Sequence, residues 1–171
     1  MDALLTSARE QLNDVTPLRR DCGRVCAAAC CRSLEGEETG MLLFPGEAEA
    51  YAGRDGWRIR RASLGEMVIC PGQCDRAERP LSCRLFPLLP LPREDGTVRV
   101  MTDMRAKAVC PLARQGKSAM DPAFIEAVRT AGEILMKDEE QAAFLQLLAE
   151  EQEEMKKLKK MLGGRKACLN R

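Results

Sequence analysis

The 171-residue sequence predicts an α+β fold: a small, irregular, cysteine-rich module with short strands, flanked by an N-terminal helix and C-terminal helices. Three observations predict it. Eight of the nine cysteines lie between Cys22 and Cys110, in sequence punctuated by glycine and proline turns. Within that stretch, short runs alternate apolar and charged residues with the two-residue period of half-buried strands. Helical periodicity is confined to the two ends of the chain. The expected organisation is a cysteine module with its N-terminal helix over residues 1–120 and a helical segment over 121–171.

The elements follow in chain order. Leu4, Leu5, Ala8, Leu12 and Val15 give one apolar helical face over residues 3–16, and Pro17 ends it. Trp57 and Ile59 alternate with Arg58 and Arg60 as a half-buried strand. The run from Leu85 to Pro92 carries too many prolines for a central strand and reads as an extended edge segment. Glu94-Asp95-Gly96 then makes a hairpin turn into a strand through Val98 and Val100. Asp121 caps a helix whose first residue is Pro122, with Phe124, Val128, Ala131 and Leu135 on one face. Asp138, with Gln141 three residues later, starts a last helix that runs to Leu162, where Gly163-Gly164 stops it.

Composition narrows the function. A chain that is 45% hydrophobic and 31% charged is globular rather than disordered. Lys and Arg number 27 against 26 Asp and Glu, so the drive for non-specific nucleic-acid binding is absent. Histidine is missing, which excludes Ser-His-Asp and Cys-His catalysis and every histidine-containing metal site. No apolar run is long enough to span a membrane. The first ten residues lack the basic, apolar and small-residue features of a leader, so the expected location is cytoplasmic, where thiols stay reduced.

Nine cysteines in a reducing compartment point to metal thiolates rather than disulfides. The first cluster is Cys22, Cys26, Cys30 and Cys31. The four-residue spacings put the first three on one face of a helix, or at one point of a set of tight turns, with Cys31 offset by about 100°. Cys70 and Cys74 flank the turn Pro71-Gly72. Cys83 and Cys110 complete the set of eight, enough for two four-thiolate sites or for one with spares. All-sulfur ligation suits zinc, iron, or an iron–sulfur cluster. Arg19, Arg20, Arg24, Arg32, Arg76, Arg79 and Arg84 stand near these cysteines in sequence and are expected to balance thiolate charge.

The cysteine-rich opening ending in Cys30-Cys31, then Cys70 and Cys74, then the stretch Arg79-Pro80-Leu81-Ser82-Cys83-Arg84-Leu85-Phe86-Pro87, resembles the YkgJ-type cysteine-cluster family over roughly residues 20–112. The usual family opening is Cys-x2-Cys-x2-Cys-Cys, whereas each spacer here is three residues. The resemblance implies a zinc- or iron-chelating domain with Cys22, Cys26, Cys30, Cys31, Cys70, Cys74, Cys83 and Cys110 as ligands. More distantly, the family is similar to the cysteine-rich part of flagellin lysine methylases.

Tyr51 and Trp57 beside Arg54, Arg58, Arg60 and Arg61 fit an amphipathic strand better than a base-stacking surface. Glu35, Glu37 and Glu38 read as a solvated acidic loop, and Glu47 as a helix cap rather than an oxygen ligand. Phe144, Leu148, Met155, Leu158 and Leu162 suit a stripe packed on the chain's own core, or a seam for self-association or a protein partner. No phosphate-binding or dinucleotide fingerprint is present. The expected function is a metal-stapled, metal-binding protein holding zinc or iron through clustered thiolates, with no catalytic activity of its own evident. The alternatives are an iron–sulfur redox or methyltransferase-associated protein, and an interaction module whose zinc is purely structural.

Overall fold

The computed structural model describes residues 3–32, 40–72 and 74–168, with side chains as far as 162. The acidic run Glu35 to Glu38 and the side chain of Cys168 lie outside the described residues. The fold mixes helix and sheet, with short strands between helices at both ends. Helix α1 spans Ala3–Glu10, and α2 is the single turn Gly23–Cys26. Strands β1 (Met41–Leu42), β2 (Arg58–Ala62) and β3 (Gly65–Ile69) form an antiparallel sheet in the order β1-β3-β2. Helix α3 (Leu81–Leu85) leads into the hairpin β4 (Leu88–Pro92) and β5 (Val98–Thr102). Helices α4 (Ala106–Val109), α5 (Pro111–Gln115), α6 (Pro122–Leu135) and α7 (Glu139–Cys168) complete the chain.

The 85–92 run divides: Leu85 ends α3, and Leu88–Pro92 pairs with β5 from Leu88↔Thr102 to Pro92↔Val98. In a two-stranded sheet both strands are edges, which is why Pro90 and Pro92 are tolerated. Asp121 caps α6 by accepting from the Ala123 N–H at 3.0 Å, with Pro122 in the first position. Phe124, Val128, Ala131 and Leu135 are fully buried, and α6 crosses the hairpin at Gly132. A Cβ on Gly132 would lie 2.4 Å from Pro90 Cβ, so only glycine permits that approach.

Three helical expectations are corrected. The N-terminal helix ends at Glu10, not residue 16, because the carbonyls of Leu12, Asn13 and Val15 accept hydrogen bonds from the Arg76 guanidinium instead of from a continuing helix. Residues 22–30 do not form one helical face. Ala27 and Ala28 both adopt left-handed conformations (φ 50° and 53°), so α2 stops at Cys26 and Ala29–Cys31 forms a separate 3-10 turn. The backbone of α7 passes through Gly163-Gly164 to Cys168.

One main core runs from Leu5, Ala8 and Leu12 of α1 through Leu81, Leu85 and the hairpin to Phe124, Val128 and Leu135 of α6 and Phe144, Leu145 and Leu148 of α7. It takes side chains from both sides of residue 120. The apolar stripe of α7 is split: Phe144 and Leu148 are buried, while Leu158, Met161 and Leu162 are exposed. Under the three-stranded sheet a smaller cluster holds Leu43, Tyr51 and Val68. Tyr51 stacks on Trp57 (5.0 Å between centroids) and is 1% exposed, so its ring is inside the protein rather than on a basic surface.

Among the described residues, no helix is long and apolar enough to cross a membrane.

Candidate metal centre

The 79–87 stretch forms α3 and its flanks. Pro80 precedes the helix with extended geometry (φ −58°, ψ 159°), and Leu81 and Leu85 anchor the inner face in the core. Cys83 lines a cavity of about 380 Å3 instead. The segment before the helix is held by buried charge. Glu47, fully buried, accepts from Arg9 Nη1 at 2.8 Å, from the Leu81 N–H at 2.9 Å and from the Phe44 N–H at 3.0 Å. Tyr51 donates its hydroxyl to the Glu78 carbonyl at 2.9 Å and accepts from Arg9 Nη1 at 3.2 Å. Glu47 is therefore neither an oxygen ligand nor a side-chain helix cap: it tethers the start of α3 to the rest of the fold.

The cavity gathers thiols from three segments. Cys30 and Cys31 come from the 3-10 turn, Cys70 and Cys74 from the loop after β3, and Cys83 from α3. The Cys30 and Cys31 sulfurs are 3.9 Å apart. Gly72 (φ 84°) makes the turn between Cys70 and Cys74, and a Cβ there would meet the Cys31 carbonyl oxygen at 3.2 Å. The loop therefore lies directly on the Cys31 backbone. Met41, Trp57, Val68, Ile69 and Phe86 supply the apolar wall. Adjacent left-handed alanines cost roughly 1–2 kcal/mol each. The capping bonds to the Gly23 carbonyl from Ala27 N–H and Ala28 N–H, and the bond from Arg32 Nη2 to the Ala27 carbonyl, hold the chain in that shape.

Cys22, Cys26 and Cys110 are brought together beside this cavity rather than in its lining. Cys22 and Cys26 are one turn apart, with the Cys26 thiol 3.7 Å from the Cys22 carbonyl oxygen. Cys110, buried between α4 and α5, lies close enough to Cys22 to act on its charge. Helix α4 packs on the Ala29–Cys31 turn. Its start is set by Asp103, which accepts from the Arg105 N–H at 2.9 Å, from the Arg105 guanidinium, and from Gln152 Nε2 of α7 at 3.1 Å. Gln152 also accepts from the Met104 N–H at 2.8 Å. Sequence reasoning missed Asp103 and Gln152; a glutamine on the buried side of an amphipathic helix is the one signal for them.

The arginines divide by partner. Arg84, 4% exposed, donates to the carbonyls of Arg79, Arg9 and Ala77 and to Asn13, so it clamps α1 to the 77–79 segment and does not serve the thiols. Arg76 likewise serves backbone carbonyls. Arg19 pairs with Asp121 from an exposed position. Cys22 also acts on Arg76, but Arg79 is the arginine on which several cysteines act. It lies beside Cys74 in the cavity lining and acts on the charges of Cys74, Cys22, Cys31 and Cys83. Among the described residues its buried Nε meets no acceptor.

The thiols are electrostatically divided. Burial pushes Cys22, Cys74 and Cys83 up, and neighbouring thiols add to the effect. Within the Cys30–Cys31 pair, the hydrogen bond that Cys30 donates holds Cys31 down to about 6 and drives Cys30 up. None of the eight is in a disulfide. Among the described residues, no three Cys, Asp or Glu side chains are closed up tightly enough to hold a metal ion as they stand. The donor set nonetheless fits a soft metal: the cavity lining holds thiols and no histidine or carboxylate, with Asp21 acting on Cys22 and Cys31 from nearby and the Arg79 guanidinium beside the thiols. No protein-family model, no curated protein and no solved structure matches this chain.

Proposed function

We propose that this chain binds zinc or iron through its clustered cysteine thiolates and that the metal staples the module, in keeping with the resemblance to the YkgJ-type cysteine-cluster family. The observation that supports this most is convergence. Of eight free thiols spread over 89 positions of sequence from Cys22 to Cys110, five line one cavity, and Cys22, Cys26 and Cys110 lie close enough to act on one another or on Cys30. Unrelated core cysteines have no reason to collect in this way. Cys22, Cys26, Cys30, Cys31, Cys70, Cys74, Cys83 and Cys110 would hold the metal, and Arg79 would balance thiolate charge. A structural zinc site contributes roughly 10–16 kcal/mol in small peptides, comparable to a whole domain's stability of about 5–15 kcal/mol. Closing the thiols on a metal would therefore be a major part of what holds these short elements together.

Anaerobic purification followed by elemental analysis and thiol counting tests the reading. The expected result is about one to two zinc or iron ions per chain, with the eight thiols unreactive until a chelator is added. Metal far below one per chain with eight freely reacting thiols would refute it. The same sample separates the alternative of an iron–sulfur cluster, which absorbs in the visible, from colourless zinc.

A further inference from the structure

We propose that α7 pairs two copies of this chain as an antiparallel homodimer, the two helices crossing at Met155 so that the glutamate block of each lies along the lysine block of the other. The inference is independent of the metal-binding reading.

Two observations mark the face. First, α7 leaves the body of the fold: every residue from Lys157 to Leu162 is exposed, while the backbone stays helical to Cys168. Most helical stability comes from packing an apolar face, and this projection has nothing of its own chain to pack on. Second, of the five large hydrophobic residues exposed among the described residues, four are on this helix: Leu147, Leu158, Met161 and Leu162, between 45% and 64% exposed. At about 100° per residue, Leu147, Glu151, Met155, Leu158 and Leu162 fall within an arc of about 80°. Leu145, Leu148, Ala149 and Gln152, buried in the chain's own fold, centre about 110° away. The stripe is therefore a second face of the helix.

Charge identifies what covers it. Residues 150–160 read Glu-Glu-Gln-Glu-Glu-Met-Lys-Lys-Leu-Lys-Lys. They form a charge mirror about Met155: Glu150, Glu151, Glu153 and Glu154 are matched by Lys160, Lys159, Lys157 and Lys156 at equal distances on the other side. Within one helix this layout is unfavourable. Glu150 and Glu151 have no lysine three or four residues away, and Lys159 and Lys160 have no glutamate there. Glu150–Glu154 and Lys156–Lys160 set like charges on adjacent turns. A parallel pair would face each block with its own kind. In an antiparallel pair with its two-fold axis at Met155, each of these glutamates is level with a lysine of the second copy. The same register stacks the stripe: Leu147 meets Leu162 of the second copy, Leu158 meets Glu151, and Met155 meets its own counterpart. Glu151 accommodates a leucine because its carboxylate already pairs with Arg105 of its own chain at 3.0 Å, which leaves its methylenes for the contact. A two-fold interface of this kind is closed, so association stops at the dimer.

The test is sedimentation equilibrium of the full chain in reductant, which keeps thiol cross-links from imitating a dimer. The expected species has twice the chain mass. Leu158→Lys weakens it by at least about 100-fold, since two leucines leave the interface at once. Lys156→Glu with Lys160→Glu, and separately Glu150→Lys with Glu154→Lys, each give monomer, and an equimolar mixture of the two double variants restores the dimer. Far-ultraviolet circular dichroism checks that each variant folds. Carbodiimide cross-linking of the wild-type chain reads the orientation without any variant: Glu150 and Lys160 are about 15 Å apart along one helix, so a direct Glu150–Lys160 link joins two chains. A wild-type monomer throughout the concentration series overturns the proposal. So does a dimer that Leu158→Lys leaves intact, or one that lacks the Glu150–Lys160 link and whose double variants do not complement each other.

Discussion

Two ion pairs of nearly equal length flank the 76–80 segment, and burial should separate their energetic roles. Arg9–Glu47 measures 2.8 Å with Glu47 fully buried, while Arg54–Glu78 measures 2.9 Å with both side chains about two-fifths exposed. The informative perturbation is Glu47→Gln, which keeps the side chain's size. The carboxylate serves three donors: Oε1 takes Arg9 Nη1 and the Leu81 N–H, and Oε2 takes the Phe44 N–H. A carboxamide has one acceptor oxygen. Its least costly orientation keeps that oxygen toward Arg9 and Leu81 and turns the NH2 group against the Phe44 N–H. One buried backbone donor is then unsatisfied, at about 1–3 kcal/mol, and Arg9 loses its countercharge. Removing one partner of a buried pair costs about 3–5 kcal/mol, and these contributions overlap rather than add. For a chain of this size that corresponds to a drop in melting temperature of about 6–20 °C. Glu78→Gln should cost no more than about 1 kcal/mol, because an exposed pair is screened by solvent. Thermal denaturation of both variants, measured metal-free by circular dichroism, makes the comparison. Equal losses in the two variants would refute the claim that Glu47 anchors the start of α3.

Four further outcomes are expected. Arg79→Met should raise the rate at which a chelator strips metal and weaken affinity about 10–100-fold, since the guanidinium is the cation beside the thiols; unchanged affinity would count against its charge-balancing role. In metal-free protein, stability should fall as pH rises through and beyond 9: Cys22, Cys30, Cys74 and Cys83 are raised in the fold, so unfolded thiols ionise first near 9.0, while the lowered Cys31 gives a smaller opposite gain between about 6 and 9. Denaturant midpoints measured from pH 7 to 10 would show it, and a flat or rising profile above 9 would contradict it. Gly132→Ala should destabilise by about 1–2 kcal/mol despite alanine's better helix propensity, because the new Cβ meets Pro90 and Val98; a stabilised variant in urea titration would mean α6 can shift away from the hairpin. Gln152→Met should cost about 1–3 kcal/mol by leaving the Met104 N–H unpaired, and Cys110 should become more reactive toward iodoacetamide, which peptide mapping would detect.

The sequence by itself determined the mixed helix-and-strand character, the 94–96 turn, the Asp121 cap and the apolar face of α6. Each depends on residues adjacent in the chain or spaced by one periodicity, so the pattern carries the information. It also determined that thiols are the chain's distinctive chemistry. It did not determine where α1 ends, because the competitors for the Leu12, Asn13 and Val15 carbonyls belong to Arg76, more than sixty residues away. Arg79 and Arg84 look alike in sequence, both flanking Cys83. Only the tertiary structure turns one toward thiols and buries the other among carbonyls. The same holds for Cys30 and Cys31. On a continuous helix their neighbours follow from spacing, but two left-handed alanines interrupt it, and what surrounds each thiol is then set by β3, α3 and α4 packing against the turn. Local pattern specifies elements because backbone periodicity is local. The grouping of eight thiols and the choice of the arginine that faces them are decided by long-range packing, which no spacing along the chain encodes.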